Sequence, residues 1–590
     1  MLTRVAVGLI VCVMASTVSE VVRAQSQTGS QPDVDAGSIL RQEEALQREE
    51  PAPLREPEVE APLPELTGIG EVTVTVESIE FKGAIDLVEA AALEQAVGEA
   101  IGQTLDFEGL QALAERVTRR LKDEGWVLAR AYLPEQDVTD GTIVIEIVPG
   151  KLDAQGRAFR IEAVGERPLR IDTQRLGAML TALLEPGEPV RQEDLDRAIL
   201  LINDLPGIDA LARLEPGEAA GSTHILLSVR EGPLWGQSVN GSNHGSRSTG
   251  EERLGATINL NDPAGLGDQG TLSLTRAEGL ELAQLNYGRP LGAAGLRADL
   301  SHTNMRYEVV DGITESSDVK GNAYTTALAL NYPLLRTDNT NVRLKFDYTY
   351  EALEDRVDGI KTDDKRVDKY SARISGDHTD ELLGPAGRTN YSFTLDWGEV
   401  DLSKVPSALE NDVFETNGGF KKVEYSLSRL QSVGAMPVTW FTELRGQKTD
   451  GNLDSSLGFQ PGGPSGLRAY PGGEASADEG HLLRTALRYQ LPDDLTTLGS
   501  LRISAFYDTA WVKINDRLPD GFTPTNATEQ NSYRLEGAGL GLRLSRGDWL
   551  TVSVNWATTI GDNPGRDLEG NNSDGRDDEH RAWLQAVVRL

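Results

Sequence analysis

Arg468 and Asp508 are the two side chains of this sequence best able to act on one another, and they offer an ion pair rather than a reaction. Arg468 stands at the tip of Ser465-Gly466-Leu467-Arg468-Ala469-Tyr470-Pro471-Gly472-Gly473, where glycine and proline prescribe a loop. Asp508 closes the run Phe506-Tyr507-Asp508. Leu501, Ile503, Ala505 and Tyr507 alternate there with Arg502, Ser504, Phe506 and Asp508, so Phe506 and Asp508 share the polar face of a strand. A guanidinium reaching that face from the tip Leu467–Tyr470 describes a buried ion pair inside a water-filled β-barrel. Losing one partner costs about 3–5 kcal/mol in a dry site and far less in a wet one.

Motifs for catalysis are not found. Gly265-Leu266-Gly267-Asp268-Gln269-Gly270 fits a dinucleotide pattern, but Thr271-Leu272-Ser273-Leu274-Thr275 reads as a strand where that site needs a helix, so these glycines mark a turn. Asn571-Asn572-Ser573-Asp574-Gly575, with Asp577, Asp578 and Glu579, offers oxygen ligands without EF-hand spacing and reads as a solvated loop. The six histidines are scattered. The expectation is no enzyme, no cofactor and no metal.

Residues 1–24 read as a secretory signal, with Arg4, an apolar run over 5–18 and Val22-Arg23-Ala24 before the cleavage point. The run is short of the roughly 20 residues that span a bilayer. Cys12, the only cysteine, falls inside it, so the mature chain has no thiol. A formal charge of −35 argues against a nucleic-acid partner. No later segment is a helix candidate for a membrane, although barrel strands need only about 9–11 alternating residues.

The elements that must position the pair follow in order. Within 25–50, the segment from Asp35 to Glu50 predicts one polar helix with Asp35 at its N-cap. Its apolar residues Ile39, Leu40, Ala45 and Leu46 are too few for a core, which suits a helix in a wet cavity. Residues 51–70 hold five prolines and predict an extended linker of about 60 Å. Residues 71–150 and 151–232 predict tandem βααββ units with exposed sheet edges. The first opens with a strand through Val72 and Val74, has helices over 88–101 and 107–124, stops at Gly125, and resumes as strands over 126–133 and 142–148. Residues 233–590 turn to short alternating strands, such as Val342, Leu344, Phe346, Tyr348 and Tyr350 against Arg343, Lys345, Asp347 and Thr349. Brief turns are expected at Tyr287–Leu291, Tyr332-Pro333-Leu334 and Tyr489–Pro492, with long loops such as 562–580 opposite. The pattern predicts an antiparallel transmembrane barrel of about 16 strands, greasy outside and hydrated inside. A soluble double sheet is the alternative.

In this order the parts resemble a TpsB translocator of two-partner secretion, akin to transporters of filamentous haemagglutinin and haemolysins. The likeness covers residues 35–590. It is carried by Gly102-Gln103-Thr104-Leu105, Gly125-Trp126-Val127 and Ala129–Asp137, by Asn243–Gly250 and Gly265–Asp268, and by Leu467–Tyr470 with Phe506–Asp508. It implies two POTRA domains, a plug helix (Ile39, Leu40, Leu46) in the resting lumen, and a loop locked by Arg468 on Asp508. It also implies partner binding around Val72, Val74, Gly125, Trp126, Tyr132, Pro134, Gln136 and Asp137. Ala469 stands where the family has glycine, so a tip needing positive φ would be strained. The last strand, residues 582–590, resembles a signal for the barrel assembly machinery, ending in Leu590 rather than an aromatic.

The expected function is export of a large, unfolded exoprotein carrying an N-terminal secretion domain. It takes place at the Gram-negative outer membrane, in contact with its lipid, without ATP. The partner pairs with a POTRA strand edge and then crosses a polar lumen offering little apolar surface. An insertase and a passive porin are the alternatives.

Overall fold

Residues 34–48, 73–154, 158–165, 167–218, 221–312, 317–434, 436–492 and 497–590 are described by a computed structural model of the chain. The signal over 1–24, the linker over 51–70 and Val72 lie outside them. Helix α1 spans Ala36–Leu46, shorter than the sequence pattern suggests. Asp35 caps it, its Oδ1 accepting from Ser38 N at 2.6 Å while Ser38 Oγ accepts from Asp35 N at 3.2 Å.

The first α/β unit contains β1 (Thr73–Thr75), β2 (Ser78–Gly83), α2 (Ala90–Val97), β3 (Thr104–Asp106), α3 (Phe107–Asp123), β4 (Arg130–Tyr132) and β5 (Thr142–Val148). Leu110, Leu113, Val117 and Leu121 make one face of α3 and pack on Ile143, Ile145 and Ile147. β1 pairs with β3 as a separate ribbon, while the main sheet runs β2-β5-β4. The strand expected over 126–133 is only three residues long, because Trp126 is drawn away into a bridge with Arg191.

The second unit holds β6 (Lys151–Leu152), β7 (Phe159–Ala163), α4 (Thr173–Thr181), α5 (Gln192–Asn203), β8 (Ile208–Pro216) and β9 (Ser222–Glu231). It is joined to the first by Gln192 N donating to Gly125 O at 2.8 Å and by Arg191 stacked over Trp126 at 5.1 Å.

Sixteen strands then close into a barrel: β10 (Trp235–Ser242), β11 (Arg253–Asn261), β12 (Gln269–Ala277), β13 (Leu280–Pro290), β14 (Arg297–Glu308), β15 (Val319–Arg336), β16 (Thr340–Val357), β17 (Ile360–Asp380), β18 (Gly387–Asp401), β19 (Gly418–Ser432), β20 (Val438–Thr449), β21 (Glu479–Gln490), β22 (Ser500–Lys513), β23 (Ser532–Arg546), β24 (Leu550–Thr559) and β25 (His580–Arg589). β25 pairs with both β24 and β10, and Leu590 N donates to Gln237 O at 2.9 Å, so no edge is left open. Leu285, Leu328, Phe346, Phe393, Leu487 and Leu540 are exposed on the outside, a surface that lipid covers. Outer Tyr348, Tyr370 and Trp397 stack at 5.1 and 6.0 Å as part of an aromatic girdle.

One turn reading changes and another gains a contact. Tyr332-Pro333-Leu334 lies inside β15, at a register shift between Pro333 and Leu335 where a missing N–H is tolerated. The turn itself comes at Thr337, whose hydroxyl accepts from Thr340 N at 3.0 Å. The glycine-rich 265–270 segment is a turn, as its neighbours require, and it also clasps the second unit. Asp172 N donates to Gly265 O at 3.0 Å, and at φ 73° a Cβ on Gly265 would lie 2.7 Å from Arg170 O. Arg175 Nη2 on Pro290 O (2.9 Å), Arg197 Nη2 on Pro333 O (2.7 Å) and Arg336 on Asp204 (2.8 and 2.9 Å) complete that junction. These contacts fix which barrel end faces the periplasm.

Candidate functional site

Two inserts fill the extracellular half of the lumen: α1, and the loop between β20 and β21. The loop folds back as a narrow finger, Phe459 and Ala477 exchanging backbone hydrogen bonds at 2.6 and 3.0 Å. At its tip Arg468 meets Asp508 side-on, Nε to Oδ2 at 2.8 Å and Nη2 to Oδ1 at 2.7 Å. The guanidinium lies 3.3 Å over the Phe506 ring, and Arg468 O accepts from Trp583 Nε1 at 2.8 Å. Asp508 is 0% exposed and Arg468 8%, so this pair sits in the dry regime where breaking it is costly.

Leu467, Ala469 and Tyr470 are buried beside it. Ala469 has no left-handed backbone; Ala475 (φ 54°) and Gly473 (φ 82°) carry the bend instead, so the expected strain at 469 is absent. What the tip needs is room. A Cβ on Gly537 would lie 2.4 Å from the Ala469 methyl, and one on Gly539 would lie 2.5 Å from the Phe506 ring. Glu474 anchors the finger outward, accepting from Asn563 Nδ2 and Ser573 N, each at 2.7 Å. The 562–580 loop is therefore partly folded inward rather than simply solvated, and buried Asn572 bonds Asn563 at 3.0 Å.

Helix α1 enters with its N-terminus toward the cell surface. Buried Lys365 gathers Asp35 (3.3 Å), Asp454 (2.9 Å) and Ser455 Oγ (3.1 Å), tying the N-cap to the loop. Ala36 N and Tyr307 Oη both donate to Asp355 Oδ1, at 2.9 and 2.6 Å. Arg41 binds Glu424 at 3.0 Å and Gly458 O at 3.2 Å, and Glu43 pairs with Arg253. Lys422 donates to Leu457 O at 3.0 Å. Gln47 reaches Gln284 midway down the wall at 3.0 Å.

The lumen is not polar throughout. Ile39 and Leu40 are buried against Leu280, Leu282, Met305, Tyr307, Val367 and Phe420, and Leu46 is half-buried below them. This corrects the expectation of a wall with little apolar surface. The signal was a break in phase along β13: Leu280 and Leu282 occupy one face, Leu285 and Tyr287 the other, so apolar residues on both faces mark a doubly covered strand end.

The residues expected to bind a partner in the first unit are not brought together as one surface. Gln136 is spent on its own chain, its amide exchanging hydrogen bonds with Val144 at 2.8 and 2.7 Å. Asp137 caps a turn through Thr139 at 2.6 Å, whose hydroxyl and N–H hold its carboxyl below the usual range. Gly125 and Trp126 form the junction with the second unit, and Trp126 Nε1 donates to Leu87 O at 2.8 Å. Val74 and Pro134 are half-buried, and Tyr132 is exposed on β4. Among the described residues, β2 keeps a free outer edge and no cluster suited to a metal ion occurs.

A closed sixteen-strand barrel, filled by a helix and an inward loop and carrying α/β units below, defines an outer-membrane transporter with a periplasmic POTRA region. A family model for haemolysin secretion/activation proteins of the ShlB/FhaC/HecB type matches residues 221–544, and one for ShlB-type POTRA domains matches residues 74–150. The chain belongs to the ShlB/FhaC/HecB family, whose members serve two-partner protein secretion. It is 25% identical over 500 residues to the heme/hemopexin transporter protein HuxB of Haemophilus influenzae, covering 82% of each chain. It is 24% identical over 552 residues to the outer membrane transporter CdiB of Escherichia coli, covering 88% of this chain and 87% of that one. The solved structure of Escherichia coli CdiB shares the fold, with a TM-score of 0.66 at 21% identity over 94% of this chain and 96% of that one. CdiB from Acinetobacter baumannii shares it at 0.58 and 15% identity, over 93% and 96%.

Proposed function

We propose that this transporter takes an unfolded exoprotein from the periplasm and passes it to the cell surface, with α1 as a removable plug and the two α/β units as tandem POTRA receptors. The observation that carries this is how α1 is held. No strand ladder joins it to the wall; side-chain ion pairs through Lys365, Arg41 and Glu43, plus a small apolar face, secure it. Such contacts can be exchanged for those of an incoming chain without breaking the barrel's hydrogen bonds.

The partner's N-terminal region adds a strand to the sheet edge of the first unit, where backbone bonds give affinity. β2 is the edge that suits this, since the outer edge of β4 is already occupied by the Thr118 hydroxyl, which accepts from Ala131 N at 2.8 Å. Folding at the surface, rather than a nucleotide, makes passage one-way. Secretion of a co-expressed exoprotein should stop when residues 73–150 are deleted, with the barrel still inserted. Continued secretion without that unit would refute the receptor role.

A further inference from the structure

The lipid-facing wall changes character over three cross-strand rows on β16 to β19. Phe346, Ala372, Leu395 and Val423 form the lowest, and it is apolar. Tyr348, Tyr370, Trp397 and Lys421 form the next, an aromatic row that ends in a cation. Tyr350, Asp368, Glu399 and Gly419 form the third, toward the cell surface. Hydrocarbon therefore gives way to lipid headgroups at the middle row, the level at which amphipathic rings settle.

The third row ends in a gap. Gly419 puts no side chain beside Glu399, and a groove of about 640 Å³ opens there, lined by Tyr370, Trp397, Glu399, Lys421 and the Arg366–Asp368 pair. That pair is closed on itself at 2.6 Å, with Tyr348 Oη donating to the same carboxylate at 2.5 Å. Among the described residues, the exposed Lys421 ammonium forms no ion pair or hydrogen bond, and neither does the carboxylate of Glu399 or of Asp450, which borders the groove just past the end of β20. The free cation thus lies at the aromatic row, and the free carboxylates lie toward the surface, Glu399 about 7 Å higher. They keep a phosphate out of the upper groove and accept hydroxyls there instead.

We infer that this groove seats the headgroup of a phosphorylated glycolipid of the outer leaflet. Its phosphate rests on Lys421 at the boundary of the hydrocarbon, where a basic side chain recognises headgroups. The apolar face of a sugar ring packs on Trp397, and hydroxyls further up donate to Glu399. A phosphodiester lipid could meet Lys421 but has no saccharide for the ring and the carboxylate. The seat depends on the barrel standing in the outer membrane, and not on what passes through it.

The test is native mass spectrometry of the full-length protein in detergent, titrated with lipid A, with lipid A stripped of its phosphates, and with phosphatidylglycerol. One lipid A should be retained about tenfold more tightly than either of the others, which lack the charge-assisted hydrogen bond or the saccharide contacts. Lys421→Gln should remove the preference for the phosphorylated form. Gly419→Phe should fill the groove and release the bound lipid A. A Cβ at 419 would approach only Gly398 O within 4 Å, at 3.7 Å, so the wall accommodates it. Migration as a folded band before heating confirms each variant, and if one fails to fold the other carries the test alone. Equal retention of phosphatidylglycerol, displacement of lipid A by inorganic phosphate, or unchanged binding in either folded variant overturns the inference.

Discussion

Arg468 reads Asp508 through two parallel hydrogen bonds in a site with almost no water, so its geometry matters as much as its charge. Arg468→Ala and Asp508→Ala should each cost about 3–5 kcal/mol, by stranding the other charge, and the double variant should cost less than their sum. Arg468→Lys should not rescue, since an ammonium cannot span both carboxylate oxygens. Denaturant titration of the detergent-solubilised barrel checks all four. Gly537→Ala belongs with them: its methyl would collide with Ala469, costing about 1–3 kcal/mol, and adding Ala469→Gly should return part of that. The Arg468–Asp508 pair was legible because loop chemistry and strand alternation are local signals. Lys365 and Lys422 were not, because a lysine facing a lumen gives no hint of which distant acids it will meet. Gly537 and Gly539 were also missed; a glycine row on an inward face signals close approach, but not by what.

At the scale of elements, the inserts depend on a few buried charges, and the junction is clasped in part by one turn. Lys365→Met should leave Asp35 and Asp454 buried without their cation and loosen α1, so open-channel events in bilayers should become more frequent. The 262–268 turn gives a pH dependence outside the membrane. Burial, with Asp268 adjacent, pushes the Asp262 carboxyl above its ordinary value, and Asp262 Oδ2 lacks a hydrogen-bond partner. A carboxyl raised in the folded state costs stability when ionised, and that cost disappears as pH falls below the ordinary carboxylate value. Asp262→Asn should therefore stabilise at neutral pH, with the gain fading toward pH 4, as thermal unfolding at several pH values would show. No gain at neutral pH would mean the buried charge is better solvated than its surroundings imply. That this turn clasps the second unit could not be read from its glycines, which specify a bend and leave its neighbour open.

For the whole molecule, the decisive property is that the cylinder is complete without what fills it. All sixteen strands find partners on both sides, and the seam between β10 and β25 is made by backbone ladder and by the Asn243 side chain, which accepts from Leu584 N at 2.7 Å. The alternation that built this wall was visible in the sequence because lipid on one side and water on the other impose a two-residue period. The apolar patch against α1 interrupts that period and so was hidden. Deleting residues 34–48 should then leave a barrel that still inserts and migrates as a folded band before heating. The patch formed by Leu280, Leu282, Met305 and Phe420 would lose its cover, lowering stability while raising conductance. The two readouts must move oppositely. If conductance stays at the full-length value, the finger that ends at Arg468 closes the pore alone, and α1 is a brace for the wall rather than a plug.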